Sequence, residues 1–131
     1  MKWKFQLSRL SELKVLLVED EFVISMLTED MLSELGHEVQ FAAATLDQGM
    51  EHAINSFFDF AVLDINLHGL TSYPIADILT SRSIPFIFAS GYANFGIDAK
   101  YSFVAKLQKP YTISRLSDAL KLIGVLLPAQ N

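Results

Sequence analysis

Three carboxylates in a row, Glu19, Asp20 and Glu21, follow the apolar run 15–18, and a fourth, Asp64, ends the apolar run 60–63. Two further runs end in polar groups: 86–89 leads into Ser90 and Gly91, and 103–107 leads into Gln108, Lys109 and Pro110. Carboxylates gathered in one place repel, so protons or a cation must neutralise some of them. An all-oxygen set with room for water suits Mg²⁺ or Mn²⁺. Lys109 adds an ammonium and Ser90 a hydroxyl donor, and the backbone N–H groups after Asp64 and Ser90 can add more. A phosphoryl group on Asp64 would thus meet metal, ammonium, hydroxyl and amide, the set that stabilises charge while phosphate transfers. The loop after the first run is acidic rather than glycine-rich, which argues against a nucleotide phosphate bound alone.

These groups converge only if the runs are neighbouring parallel strands. Short continuous apolar runs read as buried strands, and five of them alternate with amphipathic stretches. Ile24, Leu27, Met31 and Leu35 form one helical stripe, stopped at Gly36. Residues 39–43 read as the second strand. Thr45 and Gln48 form a capping box for a helix that buries Leu46, Met50, Ala53, Ile54 and Phe57. Pro74 suits the first turn of a third helix with Ile75, Ile78 and Leu79 inside. The stretch 91–102 predicts only a short or irregular helix. Residues 103–107 predict a weaker fifth strand, and Thr112 caps a last helix with Ile113, Leu116, Leu120, Ile123 and Leu127 on one side, ended by Pro128. Such βα alternation predicts an α/β fold: a flavodoxin-like, doubly wound, five-stranded parallel sheet of order 2-1-3-4-5 with a reduced fourth helix. Ligands in such sheets bind beyond the carboxyl ends of the strands, where strands one and three lie side by side.

Composition sets the outer bounds. The 131 residues, 51% hydrophobic and 19% charged, fit one packed domain, expected at 14–128 behind an N-terminal extension at 1–13. The extension alternates Trp3, Phe5 and Leu7 and spaces Leu7, Leu10 and Leu13 helically, so it either packs on the domain or serves as a partner-binding or dimerising arm. With no cysteine, neither disulfides nor thiolate-bound zinc can carry the fold, which is compatible with a cytoplasmic protein. The net charge of −5 and the lack of a basic run argue against direct nucleic-acid binding. No apolar stretch approaches the roughly 20 residues of a membrane span.

The segments Val-Leu-Leu-Val-Glu19-Asp20-Glu21, Val-Leu-Asp64-Ile-Asn66-Leu, Ser90-Gly-Tyr and Lys109-Pro110-Tyr111, in order and at strand ends, resemble the receiver domains of two-component response regulators. The resemblance covers residues 14–127. It implies Asp64 as phosphoacceptor, Asp20 as a direct Mg²⁺ ligand, Glu19 as a ligand through water and the backbone carbonyl of Asn66 as a further ligand. It also implies Ser90 as the hydroxyl that moves toward the phosphate, Lys109 as the phosphate-binding lysine, and a Lys109–Pro110 peptide that is often cis. The stretches 84–92 and 107–111 are similar to the FAT-GUY receivers, which often stand alone or occur with general-stress regulators of alphaproteobacteria and serve histidine kinases of the HWE type.

Three positions depart from the usual pattern. Lys106 stands where many receivers carry a switch Tyr or Phe, Ser90 where Thr is commoner, and His68 where Pro is frequent. Glu21 reads as an early helix residue matching the helix dipole. The Asn66 side chain either caps a turn or lies near the path of an attacking water. Tyr92 is either a half-exposed aromatic or a tuner or replacement switch, His68 reads as a loop residue with a role in the site as the lesser alternative, and His37 and His52 read as surface residues.

The function expected is a stand-alone receiver that takes phosphate from a histidine kinase or phosphotransfer protein. It then signals to a protein partner by changing shape, or relays or drains phosphate, and it is not an enzyme acting on substrates. The alternative is a phosphorylation-independent interaction module on the same fold. A haloacid-dehalogenase-type phosphatase would want a second Asp two residues after the first, where this chain has Asn66.

Overall fold

The computed structural model describes residues 12–91 and 97–125. The expectations for the N-terminal extension through Ser11, Tyr92, Leu127 and Pro128 fall outside these residues. The elements are β1 (Lys14–Val18), α1 (Phe22–Glu34), β2 (Glu38–Ala43), α2 (Leu46–Asn55), β3 (Phe60–Asp64), the short hairpin β4 (Asn66–Leu67) and β5 (Leu70–Thr71), α3 (Tyr73–Ser81), β6 (Phe86–Ser90), a 3₁₀ turn (Ala99–Tyr101), β7 (Lys106–Gln108) and α4 (Ile113–Leu122). The main sheet is parallel with order β2-β1-β3-β6-β7, the order read from the sequence.

Alternation along the strands sorts the core into two layers. Leu16, Val18, Ala61, Leu63, Phe86 and Phe88 face α2, α3 and the 3₁₀ turn. Val15, Leu17, Phe60, Val62, Ile87, Ala89 and Leu107 face α1 and α4. β3 is buried along its whole length, as a central strand covered on both faces must be. Truncating one of its fully buried side chains, Leu63 for instance, would cost about 2–5 kcal/mol.

Local signals account for the helix ends. Thr45 Oγ1 accepts from Gln48 N–H at 3.1 Å, while Gln48 Oε1 reaches back to the N–H of Ala44 at 2.9 Å, one residue earlier than the usual box. Thr112 Oγ1 accepts from Arg115 N–H at 3.2 Å to start α4. Gly36, with φ +91, follows α1 in a Schellman motif: His37 N–H bonds Leu32 O and Gly36 N–H bonds Ser33 O.

Four packing expectations are corrected. α1 buries Thr28 and Leu32, whereas Leu27 is exposed, because apolar residues surround this helix and period alone selects no face. α2 ends at Asn55, leaving Ile54 and Phe57 exposed. His37 is buried rather than on the surface, with its ring edge-on to Phe60. The fifth strand starts at Lys106 rather than at residue 103; Phe103 is exposed, and Val104 N–H bonds Tyr101 O in a turn instead of a ladder. The reduced fourth helix appears, in the described part, as the 3₁₀ turn 99–101.

Candidate functional site

β1 and β3 pair through Val18 and Leu63, so the residues just beyond them, Glu19 and Asp64, emerge side by side. Glu19 stays on the sheet, donating its N–H to Ala43 O at 2.9 Å, and its carboxylate is nearly enclosed. Asp64 is likewise buried. β7 lies two strands away, and Lys109 is fixed there by its N–H on Ser90 O at 2.8 Å. From that anchor its side chain crosses the strand tips. Its ammonium donates to Asp64 Oδ2 at 2.9 Å and stands 2.8 Å from Glu19 Oε1, with only 8% of the side chain exposed.

The charges are unequally satisfied. Burial pushes the Asp64 carboxyl up; Lys109 pulls it down, Glu19 pushes it up again, and it settles at about 7. Burial works against the charge on Lys109, but Glu19 and Asp64 hold its pKa above the ordinary value. Two buried carboxylates share one ammonium, so the cluster lacks about one positive charge.

Asp20 is held differently. Burial raises its pKa, yet the amide of His68 donates to its Oδ2 at 3.0 Å, and this bond with those to Asp64 and Glu19 brings it below the ordinary carboxylate value. The His68 ring lies near the same oxygen, with Nδ1 at 3.7 Å. His68 adopts φ +52, in the left-handed region, between β4 and β5. Sequence alone treats His68 as a loop residue, and a backbone donor leaves no side-chain signature. Glu21, read from the sequence as an early helix residue, stands beside the same cluster. It occupies the N-cap of α1 without capping through its side chain. Its N–H bonds Glu19 Oε2 at 3.0 Å, and its Oε1 reaches to 3.8 Å from Lys109.

Carboxylate oxygens of Glu19, Asp20 and Glu21 lie within 4.8 Å of one another. This all-oxygen donor set, beside a carboxyl driven up to about 7 by burial and by the neighbouring Glu19, fits a hard divalent cation. Asn66 is exposed; its N–H points at Asp64 Oδ1 at 3.3 Å, and its side-chain oxygen accepts from Gly69 N–H at 2.8 Å, the turn-capping role. The N–H of Ile65 is committed to Ala89 O. Ser90, half-buried, ends β6 next to the strand that carries Asp64. Lys106 lies apart from the acids: its ammonium donates to Tyr101 O, Ser102 O and Val104 O at 3.0, 3.0 and 2.6 Å.

Solved structures share this architecture. SdrG from Sphingomonas melonis Fr1 is 33% identical, over 86% of this chain and 97% of that one, with a TM-score of 0.79. The receiver (REC) domain of the response regulator PhyR from Erythrobacter litoralis is 25% identical, over 94% and 98%, with a TM-score of 0.72. This chain is a response regulator receiver domain. The receiver of the sensor histidine kinase PA1611 from Pseudomonas aeruginosa PAO1, solved with magnesium coordinated in its active-site cleft, is 25% identical over 86% and 98%, with a TM-score of 0.70. No protein-family profile matches the sequence, and no curated protein does. As a receiver, the chain is a signalling domain. The cis Lys109–Pro110 peptide agrees with the resemblance. Among the described residues, no helix is long and apolar enough to cross a membrane.

Proposed function

We propose that Asp64 accepts a phosphoryl group from the phosphohistidine of a histidine kinase or phosphotransfer protein, in a reaction that requires Mg²⁺ or Mn²⁺. The observation that carries this reading is the pairing of one enclosed ammonium with Asp64 and Glu19 at 2.9 and 2.8 Å. Glu19, Asp20, Asp64 and the carbonyl of Asn66 would hold the metal, with Glu21 at the rim. When bound, the metal supplies the missing positive charge and neutralises the phosphoryl oxygens. Asp64 supplies the accepting carboxylate oxygen. Lys109 can stay with the phosphoryl group as negative charge builds there, and the Ser90 hydroxyl can donate to one of its oxygens. The added charge of about −1.5 to −2 (by analogy with other phospho-groups) redistributes these bonds and biases the surface around β6 and β7 between two states. That change is read by a protein partner, or the phosphate is passed on or drained.

The support from relatives is specific. A receiver neighbour binds magnesium in its cleft, and that receiver belongs to a histidine kinase. Kinases of the HWE type are the first donors to try, on the sequence resemblance. Intact-mass analysis is the test. With Mg²⁺ and a small phosphodonor or a phosphorylated kinase, the protein should gain one phosphate, and Asp64→Asn should gain none. Equal labelling of both proteins overturns the reading. Partner binding that persists with no labelling by any donor points instead to the phosphorylation-independent module.

A further inference from the structure

The turn that carries Lys109 is fastened on two sides. On the sheet side, the N–H of Lys109 bonds Ser90 O. On the other side, Tyr111 turns into the core beneath α1 and α4, among Leu17, Leu32 and Leu116. Its hydroxyl is hydrogen-bonded to Thr28 Oγ1. Thr28 is 1% exposed, and it belongs to the helix that starts directly after Glu19-Asp20-Glu21. Tyr111 also lies within electrostatic reach of Glu19, Lys109 and Asp64.

A threonine at the centre of a buried helix face needs a reason. Valine would fill the same volume without a hydroxyl to satisfy. Lysine, on its flexible four-carbon stem, needs its backbone fixed if the ammonium is to stay between two carboxylates. We propose that Thr28 and Tyr111 form a positioning pair for the reaction at Asp64: their buried bond seats the turn 109–112 on α1 and so holds the Lys109 ammonium over Glu19 and Asp64. This rests on the reading of Asp64 as phosphoacceptor.

The test uses Tyr111→Phe, Thr28→Val and the double variant in the full chain. Labelling by a small phosphodonor should slow about ten-fold in Tyr111→Phe, since misplaced catalytic groups cost rate steeply. Magnesium affinity should stay within about two-fold, because its ligands sit on strand tips that the sheet holds. The double variant, with both partners apolar, should regain stability but not rate. In a Lys109→Ala background, Tyr111→Phe should slow labelling no further. A double variant with the wild-type rate, or rates that simply follow stability across the set, overturns the proposal. So does an undiminished effect without Lys109. If the wild-type protein takes no label, the reading of Asp64 fails, and the Lys109 side-chain NMR signals decide the positioning claim by themselves. They should be dispersed in the wild type and averaged in the double variant; identical signals overturn the claim.

Discussion

Lys106 and Lys109 stand three residues apart around β7 and lead opposite lives. Lys109 faces two buried carboxylates, which raise its pKa. Lys106 projects the other way and gives its ammonium to three backbone carbonyls, and burial lowers its pKa. Carbonyls satisfy an ammonium's hydrogen bonds without neutralising its charge. Carboxylates neutralise it and leave charge of their own to be met. The first arrangement fastens a turn; the second leaves carboxylate charge only partly met. Receivers often place a switch aromatic where Lys106 stands. Here the region is tied by Lys106 itself, by Tyr101 on Asp77, and by the stack of Tyr101 on Tyr73 at 4.4 Å.

The sharpest way to break the contrast is Lys109→Ala. It leaves Glu19 and Asp64 facing each other, so unfolding in urea at pH 8 should show a loss of about 3 kcal/mol. Phosphodonor labelling should fall by about 100-fold or more.

Asp64→Asn should act in the opposite direction on stability. The folded chain holds the Asp64 proton up to about pH 7, whereas the unfolded chain releases it near 3.8. Between those values the native state binds more protons, so stability falls as pH rises through the window and the deficit is complete above it. In EDTA at pH 8 the variant should therefore be more stable than the wild type, on the order of 3 kcal/mol, and the gain should vanish below about pH 4. Saturating Mg²⁺ should restore the wild type by about 2.7 kcal/mol at a hundred-fold excess over Kd.

Lys106→Met removes three carbonyl bonds and no charge partner. It should cost about 1–2 kcal/mol in urea melts and leave the labelling rate within about two-fold. Tyr101→Phe is the smallest change, about 0.5–1 kcal/mol, since the half-exposed Asp77 recovers water when the hydroxyl is gone. A large loss of labelling from Lys106→Met would erase the distinction between the two lysines.

The sheet order and the positions of Asp64, Glu19, Asp20 and Lys109 were legible because central parallel strands are continuous apolar runs with chemistry at their ends. The run 103–107 misled because its first residues are apolar for a turn and only its last ones pair with β6. α1 misled because its apolar residues encircle it; the bond from Thr28 to Tyr111, distant in sequence, shows which face is inside. His68 and Glu21 meet the candidate site through backbone amides and a 3.8 Å approach to Lys109, which residue types do not announce.

The central claim is that one carboxylate, Asp64, takes the phosphate with metal present. Borohydride trapping after phosphodonor treatment, followed by peptide mapping, reads this directly, because reduction of an aspartyl phosphate leaves homoserine. Homoserine at position 64 with Mg²⁺, and none in EDTA, is the predicted result. Homoserine at another position, or at 64 regardless of metal, would contradict the account.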